Sequence, residues 1–139
     1  MLLRIIIFSF FFFSCSGIRL IQEYDAISDN KITVLQEKTA RFFIKAERQI
    51  NQSQFTYESY INFYDDVKAD INVLLVRSRA IQKTDIIQKQ LNSLLIQINT
   101  LEELHKKKIN SKEELEPIKN AIENSYTAII QFQLALKNK

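Results

Sequence analysis

Glycine and proline are almost absent from this chain: Gly17 and Pro117 are the only ones in 139 residues. Sandwiches and barrels draw on both residues for their tight turns, so this scarcity excludes turn-dense β architectures and favours helices. It also removes the glycine-rich loops that cradle phosphates, and with them Walker-type and dinucleotide-binding chemistry. Cysteine occurs once, at Cys15, which leaves no partner for a disulfide within the chain. Histidine occurs once, at His105, and tryptophan not at all. A dominant charge is lacking too, with 19 basic against 16 acidic side chains and a net charge of +3. A nucleic-acid binder concentrates basic charge on one face, and no long stretch does so here, so nucleic acid is not an expected partner. What remains is ordinary: 46% apolar and 25% charged residues, enough hydrophobic material to disfavour disorder. The length allows one domain.

The longest apolar run lies at the start. Arg4 precedes an apolar stretch over residues 5–13, broken only by Ser9, and Ser14 then stands before Cys15. A basic end, a short apolar segment and a small residue before a cut site make a secretory signal, expected here over residues 1–14. The run is too short to span a bilayer, which takes about 20 residues. Phe12-Phe13-Ser14-Cys15 resembles a bacterial lipobox, in which a small residue precedes a cysteine that is acylated and becomes the mature N-terminus. Ser14 fits; Phe12 and Phe13 depart from the usual Leu and small residue. Ser14-Cys15-Ser16 also fits ordinary cleavage after Ser16, which would release a soluble secreted helical protein. The lone cysteine at the one place where lipidation needs it favours Cys15 as the lipidated residue. By the sorting rule of Gram-negative lipoproteins, Ser16 at the next position implies the outer membrane. Loss of Arg4 with the leader leaves 18 basic against 16 acidic side chains.

The mature chain, residues 15–139, carries four segments of period near 3.6. The first spans about 19–52, with Ile21, Tyr24, Ile32, Leu35, Phe42, Phe43, Ala46 and Ile50 inward and an adjoining stripe of Leu20, Ile27 and Val34. Asp29-Asn30 is a possible kink point. The second, about 56–80, places Tyr57, Ile61, Tyr64, Val67, Ile71, Leu74 and Leu75 inward. The third, about 85–107, follows Thr84 as a candidate N-cap, buries Ile87, Leu91, Leu94, Ile98 and Leu101, and ends at Lys106-Lys107-Lys108, where cations complement the helix dipole. The fourth, about 112–137, starts from a capping box of Ser111 and Glu114 and buries Leu115, Ile118, Ile122, Tyr126, Ile129, Phe132 and Leu136. Pro117 within it demands either a separate first turn or a kink. Short links between helices imply antiparallel neighbours. The expected fold is all-α, an antiparallel up-down four-helix bundle, with a three-helix bundle plus a short fourth element as the alternative.

Few residues offer chemistry. Glu102-x-x-His105 is half of a di-iron element, but that site needs a second such pair and two further glutamates. With one histidine in the chain, His105 reads as a half-buried residue at a helix end, and neither a metal nor a cofactor is expected. Asp65, Asp66 and Asp70 fall off the apolar face and read as solvated side chains. Tyr57, Tyr60, Phe63 and Tyr64 form an aromatic cluster that is either core packing or an interaction surface, since tyrosine combines an apolar body with a polar tip.

Residues 18–36, with Tyr24-Asp25, Asp29 and Leu35-Gln36, together with Phe63-Tyr64, resemble a group of small, uncharacterised lipoproteins of Gram-negative bacteria. In these a lipidated cysteine is closely followed by a Tyr-Asp-x-x-x-Asp stretch and a helical body. The resemblance covers about half of the mature chain. It implies a lipidated, helical, envelope-located protein and brings no activity. Tyr24, Asp25 and Asp29 become candidate interaction residues, or a local cluster that sets the first helix. The expected function is that of a non-enzymatic interaction or structural module, held to the membrane by its N-terminal lipid and engaging an envelope protein. The alternative is a carrier of a small apolar ligand in the bundle core.

Overall fold

The computed structural model describes residues 21–139; the leader, Cys15 and Leu20 lie outside them. Four helices follow in order: α1 (Ala26–Gln49), α2 (Ile61–Ala80), α3 (Asp85–Lys106) and α4 (Lys112–Lys137), with a 3-10 turn at Tyr57–Tyr60 leading into α2. Each packs against its sequence neighbours, and α1 closes the ring against α4. Side-chain pairs fix the antiparallel directions. Lys38 Nζ meets Asp70 at 2.7 Å and Lys119 Nζ meets Glu47 at 2.6 Å, while Lys68 Nζ meets Glu102 at 3.0 Å. The fold is the expected four-helix bundle, and the three-helix alternative falls away because α4 is as long as any of the others.

The first helix is shorter than periodicity indicates. It begins at Ala26 because Asp25 caps it, accepting a hydrogen bond from the Ile27 backbone N–H. Ile21 and Tyr24 therefore precede the helix and are half-buried. No break occurs at Asp29-Asn30; α1 runs on to Gln49. Ile27 and Val34, expected to adjoin the core, are 58% and 49% exposed, because α1 touches only two neighbours and its buried arc is correspondingly narrow. Ile61 likewise lies outside the core, at the start of α2 rather than one turn into it.

Pro117 sits inside α4, which is continuous from Lys112, so no separate first turn exists. Ser111 caps that helix by accepting from the Glu114 N–H. Glu114 reaches back one residue further than a capping box requires, accepting from the Asn110 N–H at 2.9 Å. Thr84 holds the N-cap position of α3 but does not cap it; its hydroxyl turns inward and donates to the Ser78 carbonyl at 2.7 Å, tying the α2–α3 turn together. With no glycine available, Lys108 takes the left-handed conformation that ends α3, at φ 69°.

The core runs the length of the bundle, from Ile32 and Leu136 to Phe55 and Ile109. Among the polar residues buried within it, Gln133 departs furthest from the apolar pattern. Gln133 is completely buried where Phe132 was expected inward, and Phe132 is only half-buried. Neither amide atom of Gln133 has a hydrogen-bond partner among the described residues.

Candidate functional site

The two ends of the bundle differ in chemistry. At one end lie the start of α1 and the end of α4, where Lys137 Nζ stands 5.8 Å above the Tyr24 ring. Here the Tyr-Asp-x-x-x-Asp residues assemble into a single cluster. Tyr24 donates its hydroxyl to Asp29 at 2.7 Å, and Ser28 donates to Asp25. Arg77 of α2 grips both oxygens of Asp25 through Nε and a second guanidinium nitrogen, the latter at 2.8 Å. A bidentate guanidinium–carboxylate pair is among the stronger ion pairs. With the Ser28 and Ile27 bonds adding to it against the opposing effect of burial, it holds the Asp25 carboxyl down at about 2. This arrangement sets the start of α1 and fixes it to α2.

At the other end, the loop after α1 and the 3-10 turn fold an aromatic cluster over the open end of the core. Phe63 stacks on Phe42 with ring centroids 4.2 Å apart. Phe55, from the polar loop, lies flat on the His105 imidazole at 4.3 Å. The expected residues Tyr57, Tyr60, Phe63 and Tyr64 are thus brought together, each with a defined partner. Tyr57 donates to Glu102 at 3.0 Å, Tyr60 donates to Gln49, and Tyr64 pairs with His105 Nδ1 at 2.9 Å. Two of the tyrosine rings, Tyr57 and Tyr60, stay half-buried at the rim, whereas Tyr64 is sealed in the core. Burial, reinforced by the Glu102 charge, pushes the Tyr64 phenol far above its ordinary value, so it remains a phenol.

His105 is fully buried rather than half-buried, at 2% exposure. Nδ1 and the Tyr64 hydroxyl share a buried hydrogen bond at 2.9 Å, its direction set by the tautomer of the ring. Burial lowers the imidazole pKa, against a smaller upward pull from the Phe55 backbone and Glu58. Nε2 is shielded from solvent and makes no hydrogen bond among the described residues. The neighbouring Glu102 takes no part in a shared site with it. Its carboxylate is taken by Tyr57, Lys68 and, at 3.7 Å, Lys106. Burial disfavours that charge, yet these partners hold the carboxyl below its ordinary value. Among the described residues no group of His, Cys, Asp and Glu comes together in a way that could hold a metal ion.

A concavity of about 600 Å³ opens at this aromatic end, between the polar loop after α1 and the end of α3. Its lining is mixed: exposed Asn51, Gln52, Ser53, Lys108 and Asn110 meet Ile50, Phe55, Tyr57 and the edge of His105. The three acidic residues of α2 separate. Asp65 and Asp66 are exposed, but Asp70 is partly buried between Lys38 and Lys31, at 2.7 and 3.4 Å. Burial opposes its charge and the two lysines prevail, keeping its carboxyl below the ordinary value. Sequence periodicity missed Phe55 and Ile109 as core residues, since each stands alone among polar neighbours; a solitary apolar residue in a polar link was the available signal. No helix among the described residues is long and apolar enough to cross a membrane. Compared with protein families, with characterised proteins and with solved structures, the chain returns no match.

Proposed function

We propose that this protein is a lipid-anchored module of the bacterial envelope, tethered through Cys15 to the outer membrane and engaging an envelope protein with the end of the bundle remote from its anchor. The reading is non-enzymatic. The observation that carries it is the polarity of the bundle. Residue 15 is only six positions from Ile21, which lies beside Ile81 and Lys83 of the α2–α3 turn, at the end of the bundle where α1 starts. From there α1 runs 24 residues, about 36 Å at 1.5 Å per residue, to the aromatic end. A tether at the first end therefore leaves the half-buried tyrosines and the concavity facing away from the lipid. Tyrosines with an apolar body and a bonded hydroxyl are the residues that recur at binding hot spots. The opposite end is occupied by ion pairs and caps that serve α1 itself.

Photo-crosslinking in the intact envelope tests this. A photoreactive residue replacing Asn51, at the mouth of the concavity, is expected to give one discrete adduct, and the same residue replacing Ile96, exposed on α3, none. Equal adducts from both positions, or none from either, contradict the assignment.

A further inference from the structure

Beside the aromatic end, α1 presents a row of cations that the fold leaves unused. Arg41, Lys45 and Arg48 are exposed and make no ion pair among the described residues. Their spacing of three and four puts them on one face of the helix. Lys38, one turn before, continues the row but is held by Asp70. Two other charges of the same helix are matched: Glu47 faces Lys119, and Lys31 faces Asp70. Glu37, four residues before Arg41, approaches no cation within ion-pair distance.

Between this row and the 3-10 turn lies a groove of about 340 Å³, with Lys38, Arg41 and Lys45 on one wall and Tyr60 and Phe63 on the other. Phe63 is only half-buried, although one face is covered by Phe42. Asp66 stands at the rim, 67% exposed and 4.0 Å from Lys38, the one acid in the lining. A basic wall facing an aromatic wall complements one kind of occupant, a chain carrying alternate carboxylates and apolar side chains. We infer that this groove binds an acidic, aromatic-bearing peptide segment of the partner protein. The inference rests on the proposed interaction role and names the chemistry of its partner. The carboxylates meet Arg41 and Lys45, and the apolar side chains cover the open edges of Tyr60 and Phe63. Anionic phospholipid offers negative charge too, but the groove lies on the half of α1 remote from the anchored end and carries aromatic floor space that headgroups do not fill.

The test uses the full-length protein in detergent micelles and a dye-labelled peptide in which Glu alternates with Phe, followed by fluorescence anisotropy. Saturable binding is expected, weakening as salt rises. The double variant Arg41→Glu, Lys45→Glu is expected to bind at least about tenfold more weakly, since two exposed attractions become repulsions. Lys89→Glu, on the outer face of α3, is expected to match the parent. Both surface variants are checked for parental helicity by circular dichroism. A peptide with Gln in place of Glu that binds as tightly overturns the inference, as does equal binding by the double variant. Binding to vesicles of anionic phospholipid without binding to the peptide overturns it as well. Failure of the peptide with a discrete adduct still formed from position 51 refutes this groove alone; failure of both removes the interaction role itself.

Discussion

Asp25 serves two elements with one carboxylate. It caps α1 through the Ile27 N–H and pins α2 through Arg77. Its lowered pKa makes it an acid-sensitive bond. The unfolded carboxyl titrates near 3.8 and the folded one at about 2, so the stabilisation is complete above 3.8 and is lost as pH falls through that window. Discounting for the partial exposure of Arg77, Asp25→Ala is expected to cost about 2 kcal/mol in urea unfolding at neutral pH, cap and ion pair together. Asp25→Asn, which retains a capping oxygen, is expected to cost less. His105 acts at a higher pH. Its folded pKa lies below the ordinary 6.5, so the unfolded chain takes up a proton first and stability falls as pH drops below 6.5. The melting temperature is expected to decline between pH 7 and 5 in the parent, and to decline less in His105→Gln. Identical slopes would show that the imidazole carries no such linkage.

At the scale of elements, the helices were legible wherever an apolar stripe was long and regular. Ile87 to Leu101 on α3 and Leu115 to Ile129 on α4 are buried as their period requires. The starts of α1 and α4 followed capping chemistry instead, and Asp25, not the first apolar residue of the stripe, decided where α1 begins. Tertiary context decided the rest. Ile27 and Val34 match the period but stay exposed, while Gln133 breaks it and is enclosed. The aromatic cluster was visible as residues 57, 60, 63 and 64, but its closure by Phe55 and His105 depends on loop geometry that no helical period encodes. Gln133 is a weakness in α4: two amide atoms are buried without partners among the described residues, a desolvation cost with no return. Gln133→Met, similar in shape and free of that cost, is expected to stabilise the protein by about 1–2 kcal/mol in urea unfolding. A destabilised variant would show that the amide is satisfied in solution.

For the molecule as a whole, an even number of antiparallel helices puts the start of α1 and the end of α4 at one pole of the bundle, and the loop after α1 with the end of α3 at the other. Lys137 over Tyr24 marks the first pole, and Phe55 over His105 the second. Under the proposed lipidation of Cys15, that division has a consequence, because the tether would dictate which pole is presented. A diacylated or triacylated cysteine holds stably where a single chain would not, each buried methylene adding about 0.8 kcal/mol. The central claim is therefore the anchor, and the intact mass of the membrane-fraction protein beside a Cys15→Ala variant tests it most directly. The account predicts a chain beginning at Cys15 and carrying acyl groups, with both features lost in the variant. An unmodified chain beginning at Gly17, released from the membrane, would contradict it.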